Sequence, residues 1–534
     1  MLANTPTCDS SSSPVSYTRH ACVGVIRIDN PPVNALSQAV RQGLLIALRT
    51  ALDDGDAHVL VLLAAGRTFI AGADIREFGK PAQPPFLSDV ITALEASTKP
   101  LIAVLHGTAL GGGLEVALGC HLRIALEGTR VGLPEVKLGL LPGAGGTQRL
   151  PRLAGVERAL DMITSGRFVD VDEARRNGIV DEVTDADNPL KAGLAAAEKL
   201  LLGHYTLRCT GRLPAPAADA EACERYRQHL TNHVPYQFSP FRCVDAVEAS
   251  FQLSFTEGLK RERTLFLACM ASAQRLGLVH AFFATRGNHK VPGVNDDSLL
   301  TTLGLIGQHC FFDALVEHAA KAGVRLINLD AGLDTAVQAC LIAAEVDPQR
   351  RQAIMSTLPA GTPRIDMVVA GKMPADFGGG AASLVLSPCD ASQPICELVD
   401  HHDQPALIQA LANTLKALKR HVVVTSKVSV ITTLNESLTR TLADDSSVDA
   451  TVAAWRTEGW DLSPWLIAHS TPPISEDEAK RYRRPLDVAW QQAADTLVAA
   501  GHVHRPGDID VLAIQAFGYP QHLGGPHFRA QICD

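Results

Sequence analysis

No run of about 18 consecutive apolar residues occurs in the 534-residue sequence, so no membrane-spanning helix is expected. Basic stripes are missing too. Lysine and arginine total 48 against 57 acidic residues, and a net charge of −9 argues against nucleic acid as a partner. The 12 cysteines are scattered, without a CxxC pair or zinc-ligand spacing, which predicts buried thiols in a reducing compartment. Pairs such as His401–His402 and His502/His504 lack supporting ligands, so no metal is expected. The opening MLANTPTCDSSSSPVS has neither a basic n-region nor an apolar h-region. Residues 1–14 therefore read as a disordered leader and not a signal peptide, and a cytoplasmic location is expected.

The stretch from Ala103 to Arg149 is the richest in chemistry. An apolar run, Leu101 to Leu105, reads as a buried strand. Three glycines, Gly111 to Gly113, then allow a tight turn with uncovered N–H groups. Glu115 lies in the first turn of the apolar helix that follows, and Glu135 sits after Pro134 in a second apolar segment, with a glycine loop, Gly143 to Gly146, behind it. Alone, Glu115 could simply favour a helix N-terminus through the macrodipole, and Glu135 could be a surface residue. Together with free N–H donors they are the parts for stabilising an oxyanion and moving protons.

Around this stretch, strands alternate with helices. Ala21 to Asp29 reads as a strand, Gln38 to Leu52 as a helix, and His58 to Gly66 as another buried strand. The strand leads into GRTFIAGADIREF, where Gly72 permits a sharp turn and the small Ala73 leaves its own N–H accessible. From Asn188 to about Gly293 the periodicity is helical. Leu299 to Gly307, the helix QHCFFDALVEHAAKAG and the strand VRLINLD ending in Asp330 form a βαβ opening, and the last hundred residues are again helical. The overall class is α/β.

The triple glycine with its two glutamates resembles the signature of the enoyl-CoA hydratase/isomerase (crotonase) superfamily, and the resemblance runs over residues 15–190. It implies a crotonase-like domain of ββα repeats. Carried over residue by residue, it makes the N–H groups of Ala73 and Gly112 the oxyanion hole and Glu115 and Glu135 the acid/base pair. It assigns Ala71, Asp74, Ile75 and Gly143 to substrate binding. The substrate would be an acyl-CoA thioester, and hydration would need no cofactor beyond the coenzyme A that the substrate carries.

Beyond that domain the chain is similar to the multifunctional enzymes of fatty-acid β-oxidation: a helical linker over 191–293, a degenerate Rossmann-like region over 294–425, and a shortened all-α dehydrogenase-like region over 426–534. Gly307 and Asp330 match cofactor-side positions, but the G-x-G-x-x-G fingerprint reads Gly307-Gln308-His309-Cys310-Phe311-Phe312. Leu384 stands where the dehydrogenase histidine belongs, Gly371 or Lys372 where an acidic residue belongs, and Pro388, Glu397 and Asn435 still align. Asp330 and Asn435 read equally well as turn or capping residues. The resemblance thus implies an enoyl-CoA hydratase whose dehydrogenase half does not use NAD. A Δ3–Δ2 isomerase side activity, a full bifunctional hydratase/NAD-dependent dehydrogenase and a non-catalytic acyl-CoA-binding protein stay open. So does the choice between a monomer, a homo-oligomer and a complex with a thiolase.

Overall fold

The computed structural model describes residues 13–534 apart from 78–79, 82, 332–336, 344, 370–379, 387–394, 444–447, 461–475 and 534. Most of the expected leader, and the expectations for Gly371, Lys372 and Pro388, lie outside the described residues. The chain divides into two compact units, Met1–Arg275 and Leu276–Asp534.

The first unit is built on a six-stranded sheet. Its strands are β1 (Val15–His20), β2 (Val23–Ile28), β3 (Val59–Ala64), β4 (Leu101–Leu105), β6 (Leu122–Leu126) and β9 (Glu182–Thr184), in the order β1-β2-β3-β4-β6-β9. Only β1 and β2 pair antiparallel; the other neighbours are parallel. A small second sheet joins β5 (Thr108–Leu110), β7 (Arg130–Gly132) and β8 (Phe168–Asp170). The strand expected from Ala21 starts at Val23, because Ala21 (φ 52°) turns the chain back toward β1.

Both faces of β3 and β4 are buried, which explains their unbroken apolar runs. Alternation sorts the side chains. Leu60, Leu62, Leu101 and Leu105 face the main core, while Val61, Leu63, Ile102 and Val104 face the helix Pro189–Leu201. The active-site candidates hang from the other end of these strands. β4 runs straight into β5 and the short helix Gly112–Leu118, whose seven residues are all buried.

After residue 188 this unit becomes helical, as the periodicity predicts: Pro189–Leu201, Ala220–His233, Ser239–Gln252 and Phe255–Met270. The last is opened by a capping box. The Ser254 hydroxyl accepts from the Glu257 N–H, and the Glu257 carboxylate accepts from the Ser254 N–H. Its buried residues Gly258, Glu262, Leu265 and Cys269 follow helical spacing, so a carboxylate lies on the inward stripe.

The second unit holds a seven-stranded sheet: β10 (Thr302–Ile306), β11 (Arg325–Asn328), β12 (Ala339–Ile342), β13 (Arg364–Val369), β14 (Ala382–Leu386), β15 (Ile395–Asp400) and β16 (His421–Ser426). The order β11-β10-β12-β13-β14-β15-β16 is that of an open doubly wound sheet with its switch point at β10. Only the β14–β15 pair is antiparallel. Helices after residue 429 close on Trp455, Trp460, Trp490, Phe517 and Tyr519, with the Trp460 and Tyr519 rings 4.5 Å apart.

One close approach fixes the helix that carries Glu115. A Cβ placed on Gly113 would stand 2.3 Å from the carbonyl oxygen of Ile70. Gly113→Ala must therefore part that helix from the 70–73 turn, and we expect a loss of about 1–3 kcal/mol. Urea titration read by hydrogen exchange of peptides from the first unit checks it, since all four tryptophans belong to the second half of the sequence. Unchanged protection there would refute the packing constraint.

Candidate active site

Two turns meet where β4 leaves the sheet. Gly72 (φ 127°) and Gly111 (φ 53°) both adopt conformations that favour glycine, and each precedes a residue expected to offer its N–H. Neighbouring segments pin the first turn. The Leu36 N–H donates to Gly72 O (2.9 Å), the Ala71 N–H to Val33 O (3.1 Å) and the Leu110 N–H to Ile70 O (3.0 Å). The second turn is held by the Gly111 N–H on Gly132 O (2.9 Å). These contacts bring Ala73 and Gly112 side by side: a Cβ placed on Gly112 would lie 3.6 Å from the Ala73 nitrogen. The same point is 2.7 Å from Leu87 Cδ2 and 3.2 Å from Leu36 Cδ1, so only glycine leaves room there. Among the described residues neither the Ala73 nor the Gly112 N–H donates a backbone hydrogen bond.

The two expected glutamates converge on this spot in different environments. Glu115 is buried, and its Oε1 accepts from the N–H groups of Ala144 and Gly146, both at 2.8 Å. Burial pushes its carboxyl up, while those two N–H groups and the Arg149 guanidinium pull it back. Glu135 lies against the glycine turn, its Oε1 3.0 Å from where a Gly111 Cβ would be. Its Oε2 is buried without a hydrogen-bond partner. Burial first, then the charges of Glu115 and Glu262, hold the Glu135 carboxyl well above the usual carboxylate range.

A third carboxylate completes the cluster, and the sequence reading missed it. Glu262, on the helix Phe255–Met270, is buried and accepts from the Gly145 N–H (2.7 Å), the Thr147 N–H (3.0 Å) and the Thr147 hydroxyl (2.5 Å). Burial and the nearby Glu115 push its carboxyl up to about 8. The available signal was an acidic residue on the apolar stripe of an otherwise ordinary amphipathic helix. The loop is also braced by Arg149, which is buried and pairs with Glu95 at 2.7 Å.

The remaining expected residues of this unit are placed as follows. Asp74 is buried, and its carboxylate is taken up by Arg76, through Nη2 at 2.7 Å and the backbone N–H at 3.0 Å. The Arg76 hydrogen bond holds that carboxyl below the usual range. Ile75 opens the 3-10 turn Ile75–Glu77; its side chain lies outside the described residues. Gly143 packs under Phe266, since a Cβ there would stand 2.4 Å from the ring.

In the second unit the cofactor-side positions are occupied by the protein itself. The His309 ring caps its own helix, Nδ1 accepting from the Phe311 N–H at 3.1 Å, where a pyrophosphate would need the helix start. The Asp330 carboxylate accepts from the Gly307 N–H (2.6 Å) and pairs with Arg350 (2.9 Å). Leu384 is fully buried in β14. Glu397 is buried with four donors: the Thr425 and Ser429 hydroxyls and the N–H groups of Val430 and Ile431. Asn435 lies within the helix Val430–Ala443, in the half-buried class. These residues do not fit a dinucleotide.

Residues 18–210 match the enoyl-CoA hydratase/isomerase family. The peroxisomal bifunctional enzyme of Danio rerio is 38% identical over 349 residues, which cover 62% of this chain and 47% of that protein. Its Homo sapiens counterpart is 38% identical over 59% of this chain and 45% of its own length. The glyoxysomal fatty acid beta-oxidation multifunctional protein MFP-a of Brassica napus is 36% identical over 52% and 40%. The chain thus spans about half the length of the curated relatives it matches. Their names overturn the cytoplasmic placement expected from the polar leader. The composition of residues 1–14 does not decide the compartment, because organelle addresses of the receptor-read kind need no apolar segment.

The cluster has a consequence for stability. A carboxyl raised from 4.5 to about 8 on folding is protonated more readily in the folded state than in the unfolded one. Its contribution is whole below 4.5 and is lost as the pH rises through about 8. Glu115 and Glu135 are raised too and act in the same direction. We expect the first unit's unfolding temperature to fall across that window, and the fall to be shallower in Glu262→Gln. Calorimetry over the window checks this; a midpoint that climbs with pH would contradict it.

Proposed function

We propose, from the premise that residues 18–210 belong to the enoyl-CoA hydratase/isomerase family, that this site adds water across the double bond of trans-2-enoyl-CoA thioesters. The observation that carries the reading is the unequal treatment of two converging carboxylates beside two free N–H groups. Glu115 has one oxygen under two backbone donors, which favours its ionised form and leaves Oε2 to take a proton from water. Glu135, with an unpartnered buried oxygen, favours its protonated form and is suited to give a proton to C2. Attack of the water oxygen at C3 sends the π electrons toward the thioester oxygen. There the N–H groups of Ala73 and Gly112 stabilise the developing charge, each by about 3–4 kcal/mol. After one turnover the proton on Glu115 must return to Glu135, and their mutual field favours that exchange over double ionisation.

Ala71 and Gly143 contribute backbone to the walls of the same site, and Asp74 with Arg76 stiffens the turn that carries Ala73. A Δ3–Δ2 isomerase side activity needs only one well-placed acid/base of this pair. Relatives named for peroxisomal and glyoxysomal fatty-acid β-oxidation support a role in that pathway and compartment. The proposed plan is a hydratase domain over 15–190, a helical linker over 191–293, a degenerate Rossmann-like region over 294–425 and a shortened dehydrogenase-like helical region over 426–534.

The relatives' name "bifunctional" favours a second reading in which the C-terminal half oxidises 3-hydroxyacyl-CoA with NAD. The residues present argue against it. His309 fills the helix start, Asp330 is engaged by Gly307 and Arg350, and Leu384 has no group to accept the hydroxyl proton.

Three experiments test these readings. Adding the protein to crotonyl-CoA and longer enoyl-CoAs should abolish the conjugated-thioester absorbance without any cofactor, and no turnover at any chain length would reject the hydratase. Glu115→Gln and Glu135→Gln should each lower turnover by about 10²–10⁴-fold while acyl-CoA still binds; near-native rates would remove that residue from the mechanism. For the second half, calorimetry with NAD and NADH should give no heat of tight binding, and a steady yield of NADH from 3-hydroxyacyl-CoA would put the bifunctional reading first.

A further inference from the structure

The loop between Pro142 and the helix Gly146–Ala154 presents four successive N–H groups that divide alternately between two buried carboxylates. Those of Ala144 and Gly146 go to Glu115; those of Gly145 and Thr147 go to Glu262. Gly145 (φ 100°) makes the alternation possible, because its left-handed conformation turns neighbouring N–H groups into a concave anion cradle. We propose that Glu262 is a positioning residue for the hydration: by gripping two rungs of this loop it sets the other two, and through them the direction of the Glu115 carboxylate. The proposal rests on the hydratase reading above and deepens it.

The contact extends along one face of the helix Phe255–Met270. A Cβ on Gly258 would strike the Gln148 side chain at 2.1 Å, Glu262 takes Gly145 and Thr147, and Phe266 lies over Gly143. Residues four apart on that helix thus follow the loop from its far end to its near end. Glu262 lies outside the stretch 18–210 that matches the hydratase family. The orientation of the base would accordingly be supplied by the segment that follows it.

A simple helix cap would have the same hydrogen bonds, so the test must separate positioning from stability. The hydrogen bonds of Glu262 all go to the loop, at Gly145 and Thr147; its loss should spare binding and slow chemistry. In the full-length chain, Glu262→Gln should lower kcat on crotonyl-CoA by about 10- to 100-fold, as a small misplacement of a catalytic group does. KM should stay within about threefold, the pattern of an interaction realised in the transition state. Residue-resolved hydrogen exchange should show faster exchange at Ala144 and Gly146, although both donate to Glu115 and not to the altered side chain. Thr147→Val, which removes the hydroxyl that donates to Glu262 and accepts from Gln148 Nε2 (3.0 Å) but keeps the Thr147 N–H, should move both readouts the same way and by less. It carries the test if Glu262→Gln does not fold.

A folded Glu262→Gln with kcat within about twofold of the parent overturns the proposal, as does a loss confined to KM. If Thr147→Val stands in, unchanged kcat and exchange do the same. If the parent chain itself hydrates no enoyl-CoA, the hydratase reading falls, and exchange alone decides the coupling. Unaltered protection of Ala144 and Gly146 in the variant would then sink it.

Discussion

Three carboxylates buried within reach of one another are the constraint on which the first unit depends. Taking an ionised carboxylate out of water costs several kcal/mol unless hydrogen bonds or countercharge replace the hydration. Among the described residues no ion pair reaches Glu115, Glu135 or Glu262; the nearest buried cation, Arg149, is committed to Glu95. For Glu115 and Glu262 the replacement for water is almost entirely main chain, the four N–H groups of residues 144–147, whereas Glu135 is held toward its protonated form. Backbone donors suit this task because they carry no proton that can leave. They stabilise charge without quenching the acid–base chemistry that a neighbouring lysine or arginine would dominate.

The fold meets this demand by geometry fixed well away from the carboxylates. β3 and β4, buried on both faces, give a rigid edge from which the two glycine turns emerge. Bridges from Leu36 to Ala73 and from Ile70 to Ala109 register the turns against one another, so the free N–H groups of Ala73 and Gly112 end up adjacent. Each bridge is a weak interaction. Their effect comes from being made between segments already immobilised by apolar packing, where little further entropy is lost.

Sequence reading reached the residues whose chemistry is written locally. Glu115 and Glu135 stand beside glycines in an apolar run, and His309 and Phe312 interrupt a fingerprint whose spacing is rigid, so both could be seen in one dimension. β1 escaped because Val15–His20 is mostly exposed and lacks a hydrophobic alternation. Glu262 escaped for a different reason. It is separated from Gly145 by 117 positions, and its helix has the ordinary signs of a surface amphipathic segment. The burial of that stripe, with a carboxylate on it, becomes meaningful only when the facing surface is known to be a row of unpaired N–H groups. The roles of Asp74 and Asp330 were likewise hidden by local pairing, with Arg76 and with Gly307 and Arg350, which sequence spacing does not report.

Donor number separates four of the buried glutamates by what they are free to do. Glu397 has four donors spread over both oxygens, which fixes it as the bolt between β15, β16 and the helix that begins at Val430. Glu262 has three, again on both oxygens, and belongs with the structural group except that its donors are shared with a loop that serves Glu115. Glu115 has two donors on a single oxygen, and Glu135 has a buried oxygen with none. An oxygen left without a donor in a protein interior is costly and persists only where folding stability is not the sole demand on the residue. Among the described residues of the first unit, Glu115 and Glu135 leave such capacity unused, and both lie beside the N–H groups of Ala73 and Gly112. In the second unit His309 is taken up by its own helix and Glu397 by its neighbours.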